Sequence, residues 1–386
     1  KEGIKLIPPV EVTSGPVKEN VLVGKDVDLL KFPTPKWHEL DGGRYIGTGC
    51  MIILRDPDEG WINLSVQRAQ VHSKSIATIH MSPGKDSILI REKYLKRGLS
   101  CPVAISCGQD PLLWSIAARR APWGVSEYDC AGGVMGKPVE ITRGVTTDLP
   151  VPATAEIVLE GEIVPPEVES IQEGPFGEWW GVYVHEPGLD PVIRIKSILH
   201  RNNPIIQGNP CSVLPPLGNL GLHIQKAAIL WLELDRKVSG VKGVWMLDDA
   251  ACQSIPVISI KQENVGHSHI AAMVAASCPD IVEWAASRFI IVVDDDIDPS
   301  NKDEVLWALS NRVDPETSIE IIRGYRSTRS DPRLSPDKRK RGELSHSKAI
   351  INACKPYHWI KEFPITCKAS PERLKKTKEK WANIFP

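Results

Sequence analysis

The chain has 386 residues, 42% of them hydrophobic and 25% charged, a globular composition too long for one ordinary core and suited to two domains. With 47 Lys and Arg against 48 Asp and Glu, no global field draws it to nucleic acid or an anionic membrane, and no apolar run is long enough to span a bilayer. Its nine cysteines are scattered, odd in number and without a C-x-x-C pair, which reads as reduced thiols in a cytoplasmic protein and excludes a disulfide framework or a zinc site.

The first half reads as β-rich. Arg44–Asp56 and Gly60–Arg68 read as strands joined by a turn at Pro57–Gly60, and Ser75–His80 as a third. Ser87–Gly98 follows as a helix, with Ser87 as cap and Gly98 as stop. Pro102–Gly108 is a buried strand, and Asp110–Pro122 a capped helix ended by its proline. Lys137–Gly144, Ala155–Ile163 and Asp190–Arg201 are three further strands. The pattern changes near Pro215, where Leu220–Asp235 forms a long apolar helix suited to connecting two domains. Beyond it, strands at Val241–Asp249, Ser254–Gln262, Phe289–Asp296 and Ser318–Tyr325 alternate with helices at Gly266–Ala276 and Asn301–Leu309, an α/β arrangement. A basic polar loop, Arg326–Arg341, leads to a last, strongly basic helix with Ser370 at its N-cap and Pro371 at its first position. A solvated or subunit-bridging arm suits that helix better than nucleic-acid binding.

Three constellations could carry chemistry. In Glu173-Gly-Pro-Phe-Gly-Glu178, two carboxylates flank a turn that glycine and proline can bend towards one cavity. Close carboxylates cannot both ionise freely, so one is expected to hold a proton near neutral pH and act as a general acid. An ordinary acidic turn has the same spacing. What sets this one apart is Phe176, Trp179 and Trp180, whose rings would desolvate the carboxylates or stack on a planar ligand. In Asn63–Arg68 the polar Asn63, Ser65 and Gln67 alternate with Leu64 and Val66, giving a strand one polar face, for a ligand or for solvent. Arg68 has the opposite parity from Asn63, so the two converge only if the strand ends or bulges there. His80 and Glu127, each unremarkable alone, would with Asn63 make a thiolate-free donor set suited to Mg²⁺ or Mn²⁺. Asp294–Asp296 closes an apolar strand and lacks a spaced partner, and Gly132–Lys137 lacks the phosphate-loop pattern.

In this order RYIGTG, NLSVQR, IHMSPG, CPVAISCGQDP, SEYDCAGG, EGPFGEW, ISIKQENVGH, FIIVVDDDID and RVDP resemble the UbiD family of reversible decarboxylases along nearly the whole chain. The resemblance implies a mixed α/β fold: a β-rich, split-barrel-like flavin-binding domain over residues 1–215, a connecting helix over 216–240, and an α/β oligomerisation domain over 241–386. It implies prenylated FMN, supplied by a flavin prenyltransferase, a divalent metal (Mn²⁺ or Mg²⁺) and room for K⁺. The catalytic Glu-Arg-Glu network would be Glu173, Arg68 and Glu178, with Glu178 as acid–base residue. Asn63, His80 and Glu127 would be the metal ligands. Asn63, Leu64, Ser65, Val66, Gln67, Arg68, Ile79, His80 and Glu127 would line the cofactor, Lys261 would contact its phosphate, and Trp179 would face the substrate. The family also implies a homo-oligomer, dimer or hexamer.

The chain departs from that pattern in places. The family implies a further domain-sized segment ahead of Lys1. Trp180 stands where other members carry a different residue. His346–Pro364 lacks the G-S-K-x-G-x-D-A-T run of the polyprenyl-hydroxybenzoate and cinnamate-type enzymes and is more similar to the hydroxyarylic acid branch. The expected substrate is therefore a phenolic or heteroaromatic acid. Carboxylation in the reverse direction, a non-catalytic flavin-binding subunit and an ordinary flavin oxidoreductase are the alternatives.

Overall fold

The computed structural model describes residues 5–81, 84–119, 121–210, 220–247, 255–278 and 287–384. Its first part contains β1 (Val10–Glu11), β2 (Asn20–Val23), β3 (Arg44–Gly47), β4 (Cys50–Arg55), β5 (Ile62–Ser65), β6 (Ala69–Val71), β7 (Ile76–Ile79), β8 (Cys101–Cys107), β9 (Glu140–Arg143), β10 (Pro150–Pro152), β11 (Ile157–Ile163), β12 (Ser170–Glu173), β13 (Gly177–Glu178), β14 (Val182–Tyr183) and β15 (Gly188–His200). Three helices interrupt them: α1 (Asp86–Leu95), α2 (Pro111–Ala117) and α3 (Glu127–Met135).

Ten of these strands form one curled half-barrel sheet in the order β3-β6-β7-β15-β11-β8-β4-β5, with β2 and β12 also paired to the long β15. The sheet is buried on both faces, which is why Cys50-Met-Ile-Ile-Leu54 is a continuous apolar run rather than an alternating one. Period two divides that run. Ile52 and Leu54 point into a core with Ile105, Leu159, Ile193 and Ile90 of α1. Met51 and Ile53 point the other way, to Val158 and to Leu113, Tyr128 and Ala131 of α2 and α3.

The second part contains α4 (Leu220–Lys237), β16 (Val241–Met246), β17 (Pro256–Ile260), α5 (His267–Ser277), β18 (Phe289–Asp294), α6 (Lys302–Arg312), α7 (Pro315–Ser318), β19 (Ile319–Arg326), α8 (Pro336–Arg341), β20 (Ser345–Ala353) and α9 (Pro371–Lys380). Its sheet runs β16-β17-β18-β20-β19, parallel through β17, β18 and β20 and antiparallel at both edges. Helices α4 and α5 pack on one face, and α6 on the other. The mixed α/β class with a split-barrel-like half is borne out.

Several local readings differ. The strand expected over Arg44–Asp56 is two strands, broken at Thr48–Gly49, that end on separate parts of the curled path. Helix α1 begins at Asp86 on an N-cap of Lys85; Ser87 is instead buried, its hydroxyl accepting from Gln67 Nε2 at 3.2 Å. Asp110 does cap α2, accepting from Leu112 N and Leu113 N, but the helix ends at Ala117, before Pro122. The proposed connecting helix is drawn into the second core through Ala227, Leu230 and Leu234, and touches α2 through a Gln225–Ser115 hydrogen bond. The basic segment ends in α8, and the following stretch supplies β20, the strand between β18 and β19. As expected of a strand end rather than a metal cluster, Asp294 and Asp296 both pair with the buried Arg312. Among the described residues no helix is long and apolar enough to cross a membrane.

Candidate active site

Strand β5 ends at Ser65, so Val66–Arg68 is a turn before β6 and Arg68 escapes the parity of its strand. From that turn Arg68 reaches both carboxylates of the Glu173–Glu178 segment. Its Nε and Nη2 hold Glu173 Oε1 and Oε2 at 2.7 and 2.8 Å, and its Nη1 holds Glu178 Oε1 at 2.7 Å. Tyr45 donates to Glu173 Oε1 at 3.0 Å, and the Phe176 ring lies 4.9 Å from the guanidinium carbon. Glu173 and Glu178 are buried at 3% and 7% exposure.

The turn is clamped by the loop before β3. Asp41 accepts from Gly177 N at 2.9 Å, and Gly42 N donates to Pro175 O at 2.7 Å. A Cβ on Gly42 would stand 1.9 Å from Gly174 O, so only glycine allows this approach. Gly174 itself has φ +79° and precedes a cis peptide to Pro175.

The electrostatics correct one expectation. Like charge was to raise one of the two carboxyls, but Arg68 stands between them. Burial alone would raise the Glu173 carboxyl; the Arg68 guanidinium outweighs it and holds the group below the usual range. Burial, and then the Glu173 charge, keeps Tyr45 protonated as a donor. Two acceptors of this cluster thus carry unequal loads. Glu173 accepts three hydrogen bonds, while Glu178 accepts one.

Glu127, the first residue of α3 after the cap Ser126, accepts from Leu64 N at 2.7 Å and lies 3.3 and 3.5 Å from Asn63 Nδ2. Burial pushes its carboxyl up to about 8. Asn63 Oδ1 and Ser65 Oγ are buried without hydrogen-bond partners among the described residues. Orphaned oxygens beside a buried carboxylate fit a hard cation. His80 bonds Asp190 Oδ2 through its Nδ1 at 3.0 Å, and that nitrogen lies 3.8 Å from Glu173 Oε2. His80, Glu173 and Asp190 could themselves converge on an ion, but Arg68 already occupies both Glu173 oxygens.

Of the residues expected along the cofactor, Leu64, Val66 and Ile79 send their side chains into the hydrophobic cores. Gln67 turns to Ser87. Lys261 is exposed just past β17, with its amide on Gly240 O at 2.8 Å, and takes no part in the Arg68 cluster. Trp179 Nε1 donates to Ser330 Oγ at 3.2 Å, so it ties the acidic turn to the segment before α8. Arg339 makes a second tie, to Val184 O at 3.1 Å. Sequence reasoning missed Tyr45, Asp190, His185 and the buried Lys348. Burial lowers the His185 imidazole to about 4, and the Lys348 ammonium to about 8 on Ser287 O. Tyr45 was within reach of reading, since it shares the RYIGTG run; Asp190 is placed only by the pairing of β12 with β15.

An arginine held between two buried glutamates on a curled sheet is an arrangement suited to acid–base chemistry. The model of the 3-octaprenyl-4-hydroxybenzoate carboxy-lyase Rift-related domain matches residues 9–213, and that of the C-terminal domain of the same carboxy-lyase matches 220–353. The pyrrole-2-carboxylic acid decarboxylase of Pseudomonas aeruginosa is 32% identical over 91% of this chain and 71% of its own length. The phenolic acid decarboxylase of Bacillus subtilis is 30% identical over 94% and 76%. The UbiD-class enzyme HmfF of Pelotomaculum thermopropionicum, solved with FMN, superposes with a TM-score of 0.85 at 29% identity, covering 96% of this chain and 79% of HmfF; an evolved dimeric form of HmfF was solved with prenylated FMN. The chain belongs to the UbiD family and is a carboxy-lyase.

Proposed function

We propose that this protein removes CO₂, without oxidation, from an aromatic or heteroaromatic acid, using prenylated FMN and a divalent cation, Mn²⁺ or Mg²⁺. The observation that carries the reading is Arg68 buried between Glu173 and Glu178. When bound, the cofactor supplies an electron sink for the carbon that loses CO₂. Glu173, fixed by three donors, holds Arg68 in place. Arg68 orients the acidic group that enters beside it. Glu178, with one donor, delivers the proton to carbon. Phe176 and Tyr45 exclude water from one side, their rings 4.7 Å apart. Asn63 and Glu127 hold the cation. Carboxylation is the same chemistry in reverse.

Relatives named for pyrrole-2-carboxylic and phenolic acids support a substrate with a ring nitrogen or a hydroxyl. A cytoplasmic homo-oligomer, with cofactor made by a separate flavin prenyltransferase, belongs to the same proposal. Exposed Ile224, Trp231 and Leu232 on α4 and Ile270 on α5 support a covering subunit. The test is a CO₂-release screen on protein co-produced with a flavin prenyltransferase, its size read by light scattering in the same preparation. Hydroxybenzoates or pyrrole-2-carboxylate should be turned over faster than cinnamate. Equal turnover of cinnamate with failure on all the others refutes the substrate class, and a monomer removes the oligomer.

A further inference from the structure

We propose that Trp180 is a positioning residue: seated on the Arg288–Asp331 pair of the second part of the chain, it fixes the hairpin that aims Glu178 at Arg68. This deepens the reading of Glu178 as proton donor and rests on it.

Strands β13 and β14 pair only with each other among the described residues, Gly177 with Tyr183 and Glu178 with Val182. Trp179, Trp180 and Gly181 form the tip between them, closed by Gly181 N on Glu178 O at 2.7 Å. A two-stranded hairpin this short is marginal by itself. Among the described residues the Glu178 side chain accepts one hydrogen bond, from Arg68, so its aim follows its backbone. What holds the base and the tip of this hairpin therefore sets where the carboxyl points.

The first part of the chain holds the base: Asp41 accepts from Gly177 N, and Tyr183 Oη accepts from Leu40 N at 3.2 Å. The second part holds the tip. Trp180 is 8% exposed. Its ring lies 5.1 Å from that of Trp179 and 5.9 Å from the Arg288 guanidinium carbon, within cation–π range. Arg288 is anchored at both ends. Its backbone oxygen accepts from Ala349 N of β20, and its Nη2 donates to Asp331. Asp331 is fully buried and also accepts from Ser327 Oγ and Arg333 N. The Trp180 Nε1 is buried with no hydrogen-bond partner among the described residues, so ring packing and the guanidinium hold the side chain. The Trp179–Ser330 and Arg339–Val184 bonds flank this contact.

The experiment places each variant in the wild type and in Glu178→Gln. It reads kcat, KM, cofactor occupancy by mass spectrometry, melting, and amide exchange over residues 177–184. Trp180→Ala should lower kcat by about 10–100-fold, the scale of a misplaced reacting group, with KM and occupancy unchanged. Arg288→Gln, which can still donate to Asp331, should do the same. Trp180→Phe keeps a ring over the guanidinium and gives up no hydrogen bond, so it should keep near wild-type kcat. Both damaging variants should speed exchange of the Gly181 amide. In Glu178→Gln neither should cost anything further, because the group they position is gone. An equal loss in wild type and in Glu178→Gln makes Trp180 a structural residue and overturns the proposal. Wild-type kcat in either Trp180→Ala or Arg288→Gln overturns it too, as does unchanged exchange in both or a Trp180→Phe as slow as Trp180→Ala. If Trp180→Ala does not fold, Arg288→Gln carries the same comparison. If Glu178→Gln itself turns over like wild type, the donor reading has failed and this inference falls with it.

Discussion

Glu178→Gln should lower turnover by about 10²–10⁴-fold, the usual contribution of a positioned acid–base group. Gln keeps the size of the side chain and an oxygen for Arg68 Nη1, which lies 2.7 Å from Glu178 Oε1 in the wild type. It cannot carry a proton of the right acidity to carbon. Cofactor and metal occupancy should survive, because Asn63 and Glu127 lie at the edge of β5 and make no bond to Glu178. Steady-state turnover with cofactor occupancy by mass spectrometry in one sample checks this. A fully occupied variant with near wild-type turnover would move the proton donor elsewhere.

Arg68→Ala should be the most damaging single change to stability. The Arg68, Glu173 and Glu178 side chains are 10%, 3% and 10% exposed, so the pairs are scarcely screened by solvent. Removing the cation strands two buried carboxylates, a loss of about 3–5 kcal/mol for breaking a buried pair. Arg68→Lys should recover part of this, since a point charge cannot replace the two-pronged grip on Glu173. The pH dependence should reverse sign. In wild type the folded Glu173 carboxyl lies below 4.5, its ordinary value. Its stabilisation is complete above that value and is lost as pH falls through the folded one. In Arg68→Ala the same carboxyl loses its principal cation, burial dominates and it shifts upward, so that variant gains stability on mild acidification. Chemical denaturation across a pH series reads both slopes; parallel slopes would contradict the buried-pair account.

Much of this was legible in the sequence, for reasons tied to particular residues. Period two in NLSVQR gave the polar face of β5, and the parity conflict at Arg68 anticipated the strand end at Ser65. Gly174, Pro175 and Gly177 announced a turn that brings Glu173 and Glu178 to one arginine. Long-range partners were not legible. Whether a cation or another carboxylate stands between two glutamates depends on a turn more than a hundred positions earlier, so the expected like-charge shift went the wrong way at Glu173. The Asp190 partner of His80 was hidden, because it comes from the pairing of β7 with β15, which only the sheet order reveals.

On the proposed function, decarboxylation runs on prenylated flavin beside the Arg68 cluster. The direct measurement is CO₂ release from one hydroxybenzoate or pyrrole-2-carboxylate by the same protein loaded either with FMN or with prenylated FMN, each loading verified by the mass of the bound cofactor. The prenylated form should release CO₂ over many turnovers and the FMN form should release none above background. Equal release from both, or from protein without cofactor, would contradict the account.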